Sequence, residues 1–201
     1  MAASLTKARL QAAGIGAYFR PQDIKQLGIS FQQLQKLVAN DAVEKIGGGL
    51  YRLSEIELTE HETIAMVASA VPNAIICLLT ALRIHEIGTQ SPHAVWIALD
   101  RKRRKPRRPP AKVEIVRFSG AMLTYGVVRQ SMLGVSVLIT SPARTVVDCF
   151  RYRNKVGIDV ALEALRDAVY FRKVNVDEIS RAAEVCRIRT VISPYMEALS
   201  A

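Results

Sequence analysis

Seven of the eight residues from Arg101 to Arg108 are basic: Arg101, Lys102, Arg103, Arg104, Lys105, Arg107 and Arg108, broken only by Pro106. The chain carries a formal net charge of +10, so this run holds positive charge equal to most of the excess. Such a density costs self-repulsion unless an anion commonly lies against it, and nucleic acid is the leading anion, through phosphate contacts and counterion release. A second constellation lies far upstream. Gln32, Gln33, Gln35, Lys36 and Asn40 place four amides and one cation in a single short stretch that contains no carboxylate. Amides can bond an adenine edge bidentately, and lysine can reach guanine or phosphate. Ser30 precedes this group, and Lys45, Gly48 and Arg52 follow it, with both cations placed to touch a DNA backbone.

Catalytic chemistry does not assemble in the same way. His61, His85 and His93 are scattered, and His61-Glu62 lacks the second histidine of an H-E-x-x-H helix. There is no P-loop, no dinucleotide fingerprint after a strand and no nucleophile elbow. Asp100 and Glu114 lack the paired acid and lysine of a metal-dependent nuclease. Arg144 and Asp148, four apart on one helix, read as an i,i+4 ion pair. Cys77, Cys149 and Cys186 are odd in number and far apart, which argues against a disulfide framework or a zinc site and fits buried thiols in a reducing cytosol. No catalytic residue, metal or cofactor is expected.

The elements that must position these residues follow from local signals. Ala8–Ala13 reads as the end of a helix stopped by Gly14 and Gly16. Pro21 suits the first turn of the next, which Gly28 ends. Ser30 and Gln33 form a capping-box pattern for a helix over Phe31–Asn40. At 100° per residue Phe31, Leu34, Leu37 and Val38 share an inward arc of roughly 120°, with Gln32, Gln33, Lys36 and Asn40 opposite and Gln35 flanking them. Two helices joined by Gly28-Ile29-Ser30 have helix-turn-helix spacing. The strand-like runs Val43–Ile46 and Leu50–Leu53, around Gly47-Gly48-Gly49, would form a hairpin and hence a wing.

Beyond a connector at 53–58, Thr59 and Glu62 mark a second capping box opening a helix that stops before Pro72. Ala74–Ile87 reads as a buried helix whose start could instead be a strand. Ala94–Leu99, Lys112–Phe118 and Gly134–Thr140 read as strands, the last Val-rich and therefore internal. The basic run lies between the first two, and its three prolines at 106, 109 and 110 make it an exposed loop over 101–110. Ser141-Pro142 opens a helix, Ile158–Tyr170 is amphipathic, Asn175 with Glu178 caps another, and Ser193-Pro194 would open a last short one. The fold class expected is α+β: an N-terminal winged helix-turn-helix over 1–55, then a mixed α/β domain over 59–201 that ends in helices. The longest apolar stretch, Ala74–Leu82, falls far short of the roughly 20 residues a membrane-spanning helix needs. The N-terminus also lacks a signal-peptide layout. A protein with no membrane association is therefore expected.

These features together resemble the AbiEi family, antitoxins of bacterial type IV toxin–antitoxin pairs that act in abortive phage defence. The resemblance rests on the helix-turn-helix around Leu27-Gly28-Ile29-Ser30 and the wing Gly49–Leu53. It also rests on Ala81-Leu82-Arg83-Ile84-His85 and on the stretch from Thr140 through Ser141-Pro142-Ala143-Arg144 to Asp148. It implies a cytoplasmic bacterial protein whose winged helix binds inverted repeats in its own promoter and represses the operon. The second domain would counteract a nucleotidyltransferase-like toxin, without a stable complex. Base reading falls to Gln32, Gln33 and Lys36, and wing contact to Lys45 and Arg52. Other readings stay open: a protein whose basic loop neutralises an acidic partner or the toxin itself, a stand-alone winged-helix regulator, or an enzyme delivered to nucleic acid by its winged helix.

Overall fold

Local sequence signals set many of the element ends in the computed structural model, which describes Leu10, residues 12–54 and residues 61–200. Among these residues the chain is mixed α/β, with nine α-helices and two sheets. It divides into two units. The first takes the described residues up to Asn73 together with Lys105–Lys112 and Gln130–Val137, and the second takes Ala74–Arg104, Val113–Arg129 and the described residues from Leu138 onward.

In the first unit β1 (Tyr18–Phe19) leads into α1 (Pro21–Lys25) and α2 (Phe31–Ala39), then β2 (Val43–Gly47), β3 (Leu50–Leu53) and α3 (Glu62–Ala70). Pro21 sits in the first turn of α1. The start of α2 is closed by both halves of a capping box: Gln33 N donates to Ser30 Oγ at 3.2 Å and Ser30 N to Gln33 Oε1 at 2.8 Å. Gly47, Gly48 and Gly49 all have positive φ, so the β2–β3 turn uses a conformation that side chains resist. The three strands pair antiparallel in the order β1-β3-β2. Leu34 and Leu37 of α2 pack with Phe19, Ile24, Val43, Tyr51 and Leu53 in one core.

The sequence assigns α3 to the second domain, but it groups with the first unit. Tyr18 Oη donates to Glu62 Oε1 at 2.5 Å, and the Arg20 guanidinium donates to the last carbonyls of α3, Ser69 O at 3.2 Å and Ala70 O at 2.5 Å. Thr59 and Glu60 of the expected capping box lie outside the described residues, and α3 starts behind His61 with no side-chain cap. Half of the expected helix Ala8–Ala13 also lies outside them; of the rest, Leu10 and Ala12 are helical and Ala13 begins a turn. Gly16 serves a close approach rather than a helix stop: a Cβ there would lie 2.6 Å from the Gly134 carbonyl carbon, and the neighbouring Ala17 N donates to Leu133 O at 2.8 Å.

The second sheet has the order β6-β5-β4-β8-β7, built from β4 (Ile75–Ile76), β5 (Val95–Asp100), β6 (Val113–Phe118), β7 (Val127–Met132) and β8 (Val135–Thr140). The helices are α4 (Leu78–Ile84), α5 (Pro142–Arg151), α6 (Arg153–Val156), α7 (Ile158–Tyr170), α8 (Val176–Val185) and α9 (Arg189–Ser200). The segment from Ala74 therefore opens as a strand before it turns helical. Strand β8 is internal, as its valines require. Strand β7 was not anticipated, because its exposed middle, Arg129-Gln130-Ser131, has no apolar alternation to betray it. Helix α5 packs on α4, α7 and α8 and is buried from Ala143 to Phe150. Ser193-Pro194 does not open a helix, since Pro194 lies inside α9. The chain reverses one turn earlier at Arg187, in the left-handed region, and Ile188 and Ile192 anchor the helix in the core. Proline then removes one intrahelical bond without stopping a helix held by packing.

Strands β5 and β6 pair in parallel, from Val95 opposite Val113 to Asp100 opposite Phe118. Residues 101–112 must therefore return the chain along the whole strand, about 20 Å for six residues. A crossover of this kind usually uses a helix. Here a proline-rich segment without a helix covers the distance, opening with a turn in which Arg103 N donates to Asp100 O at 3.0 Å. Among the described residues no helix is long and apolar enough to cross a membrane.

Candidate nucleic-acid interface

Helix α2 carries most of the residues expected to read bases. Leu34 and Leu37 fix its inner side, and Ser30, Gln32, Gln33, Gln35, Lys36 and Asn40 are all exposed. Directly opposite the buried pair lie Gln35, Ala39, Gln32 and Lys36, within roughly 100° of the helix circumference. Gln33 lies roughly 60° beyond that arc, towards Leu37, with its Oε1 committed to the Ser30 N–H, and Ser30 Oγ is committed in return. Gln33, expected to read bases, and Ser30 are thus capping residues first, and Gln35, placed at the flank by the sequence, joins Gln32 and Lys36 on the outward arc. Asn40 lies at the C-cap, where its N–H bonds back to Lys36 O. Phe31 departs from expectation most: it is 60 % exposed rather than packed inward. The core at this end of α2 is filled by Ile29, Leu34 and Leu37 instead.

On the β2–β3 hairpin, Lys45 and Gly48 are exposed at the surface. Arg52 is not available as expected. Its guanidinium is held between Glu44 Oε2 at 2.5 Å and Glu62 Oε1 at 3.0 Å, with the side chain 25 % exposed. Burial, helped by the hydrogen bond to Glu62, pushes the Tyr18 hydroxyl up to about 12, so Tyr18 remains a donor in this network. Arg52 therefore ties the hairpin to α3 and carries little charge outward. Glu44 lies directly opposite Arg52 in the antiparallel register, so the hairpin pattern alone held a signal for this pair.

In the connection between β5 and β6, Arg101, Lys102, Arg104, Lys105, Arg107 and Arg108 are exposed and Arg103 is half-buried. The loop is pinned where it leaves β5. Arg117 Nη1 donates to Asp100 O at 2.8 Å and to Arg103 O at 2.7 Å, and Lys102 N donates to Asp100 Oδ1 at 2.8 Å. Among the described residues none of the seven basic side chains forms an ion pair. Their charge is directed to solvent.

The Arg144–Asp148 pair is the expected i,i+4 contact, but it lies in the core of the second unit, with both side chains fully buried. Arg144 Nε donates to Asp148 Oδ1 at 2.9 Å, and its terminal nitrogens donate to Tyr125 O at 2.6 Å and Met122 O at 3.2 Å. The guanidinium carbon lies 4.8 Å from the Phe118 ring centroid. Asp148 Oδ2 is buried without a partner, and desolvation pushes the carboxyl up to about 6 against the pull of Arg144. Thr145 Oγ1 bonds back to Ser141 O at 2.8 Å. These groups spend their polarity on one another and on backbone.

A cleft of about 330 Å³ opens over the start of α5, lined among others by Gly126, Ser141, Lys173 and Arg181. Its cations are engaged, Lys173 with Glu86 and Arg181 with Asp177 O. The three cysteines are buried and free, and His85 Nε2 lies 2.7 Å from Thr140 O, its pKa lowered by burial. No group of three His, Cys, Asp or Glu among the described residues is placed to hold a metal. No protein-family model matches this sequence, and no curated protein matches it.

Proposed function

We propose that the chain is a sequence-specific binder of double-stranded DNA whose first unit is a winged helix, with α2 as the reading helix and the β2–β3 hairpin as its wing. The observation that carries this reading is the solvent face of α2. Gln32, Gln35 and Lys36 stand together on it, exposed, without a carboxylate, opposite a firmly packed apolar side. Amides and a lysine on the exposed side of the second helix are what base-edge recognition in the major groove uses. Lys45 supplies a backbone contact from the wing. In keeping with the AbiEi resemblance, the protein is an autorepressing antitoxin that binds inverted repeats in its own promoter and counteracts a nucleotidyltransferase-like toxin through its second unit.

The direct test is selection of bound duplexes from a randomised pool with the full chain, followed by titration of the enriched sequence and of scrambled duplex. A single enriched sequence, with preference lost in Gln32→Ala/Gln35→Ala/Lys36→Ala, is expected. Recovery of unrelated sequences bound equally well would sink the proposal. A second reading draws on the unpaired cations of the 101–112 loop, which would suit an acidic protein partner equally well. It predicts that loop variants keep their DNA affinity and its salt dependence.

A further inference from the structure

Phe31 is the one large apolar side chain on the outward-facing part of α2. It is 60 % exposed, while Leu34 and Leu37, one turn further on, are sealed in the core. An isolated exposed hydrophobe needs no explanation on an ordinary surface. Its neighbours here are not ordinary. Phe31 and Gln35 are four residues apart and therefore adjacent on the helix surface, and Gln32 lies on the other side of Gln35. Phe31 is also the first residue of α2, and a helix laid into the major groove contacts base edges with its N-terminal residues.

In that groove the apolar group a base pair offers is the 5-methyl of thymine. An aromatic ring beside amides thus supplies a contact that amides cannot make. Amides bond adenine N6 and N7, and a ring next to them would cover the methyl of a thymine paired to, or stacked beside, that adenine. Capping also gives the ring a fixed base. The reciprocal Ser30–Gln33 bonds hold the first turn of α2, so residue 31 has a defined backbone from which to project.

We infer that Phe31 is a specificity-determining residue that reads a thymine methyl group at the edge of the recognised sequence. This rests on the DNA-binding reading above. The ligand feature is a 5-methylpyrimidine in the major groove, and the residue acts by desolvating it.

The test uses the full chain and the duplex it enriches from a randomised pool, with each thymine replaced in turn by deoxyuridine, which removes only the methyl. One position is expected at which this replacement weakens the parent about fourfold, the worth of one methyl group withdrawn from water. At that position Phe31→Ala should be indifferent to the replacement, and Phe31→Leu should retain part of the discrimination. Thermal melting of both variants within a degree or two of the parent establishes that the fold is kept. A duplex whose deoxyuridine series is flat for the parent, or whose sensitivity is unchanged in Phe31→Ala, overturns the inference and leaves the DNA-binding reading standing. Failure to enrich any duplex removes that reading itself.

Discussion

The buried Arg144–Asp148 pair makes a sharp energetic prediction. Substituting Arg144→Met keeps most of the volume but strips Asp148 Oδ1 of the guanidinium that bonds it and leaves the carbonyls of Met122 and Tyr125 without the donors Arg144 gave them. Removing one member of a buried pair costs roughly 3–5 kcal/mol, mostly from the charge left behind. At 2–4 °C per kcal/mol for a chain of this size, the melting temperature should fall by about 10 °C near pH 7.5. The loss depends on pH. In the fold the Asp148 carboxyl keeps its proton up to about 6, whereas the unfolded chain releases it near 3.8. Between those values the folded state binds more protons, so the contribution of Asp148 to stability is full below pH 4 and falls as pH rises through 6. The ceiling is about 3 kcal/mol. Arg144→Met should therefore cost more at pH 7.5 than at pH 5, and Arg144→Met/Asp148→Leu should recover at least half of the loss. Calorimetric and circular-dichroism melts across pH 4–8 measure all three effects. A single variant within about 1 kcal/mol of the parent, or a double variant no better than the single, would refute the assignment of this pair as a structural anchor.

Three further outcomes follow from the first unit and the loop. Gln33→Ala should lower stability by up to about 1 kcal/mol through the lost cap and weaken all duplexes alike, whereas Gln35→Ala should cost about 1–3 kcal/mol on the preferred duplex alone; parallel anisotropy titrations distinguish them. Arg52→Ala should destabilise the first unit by about 1 kcal/mol, a figure kept small because the pair is partly exposed, and leave the salt dependence of DNA binding unchanged; a clearly flattened dependence would mean that Arg52 contacts phosphate after all. Replacing Lys102, Arg104, Lys105, Arg107 and Arg108 with serine should reduce the slope of log K against log salt by up to about 4.5 if all five meet phosphates, and an unchanged slope assigns the loop to another partner.

Much of the fold was legible because its signals are local. Ser30 with Gln33, Asn175 with Glu178 and the apolar spacing of Ile158–Tyr170 each concern residues within a turn or two of one another, and each yields the element expected. Departures arise where a distant contact decides. The periodicity of α2 puts Phe31 inward, but at this end of the helix the core is filled by Ile29, Leu34 and Leu37, and Phe31 stays exposed. Gln33 carried two roles, capping and reading; the capping bond forms within three residues and takes its oxygen. Arg52 has the exposure pattern of a wing cation until Glu44 and Glu62 close on it, one across the hairpin and one on α3. Polar β7 shows no strand pattern because its middle, Val128–Ser131, is exposed on both faces and so carries no apolar alternation.

The role of a basic residue in this chain is accordingly decided by its partners. Arg52 and Arg144 are neutralised by carboxylates inside their own units, and Arg20 and Arg117 are spent on backbone carbonyls. Near the proposed reading helix that leaves Lys36 and Lys45 as exposed cations among the expected contacts. Even were both to meet phosphates, two contacts would release few counterions and give a salt slope of only about −1.8. Affinity sufficient to hold an operator at physiological salt needs several more contacts, supplied either by a second copy on an inverted repeat or by the loop cations. The two sources separate by stoichiometry. A steep slope at one protein per duplex that the loop substitutions flatten assigns the contacts to the loop, and a steep slope only at two proteins per duplex assigns them to the repeat.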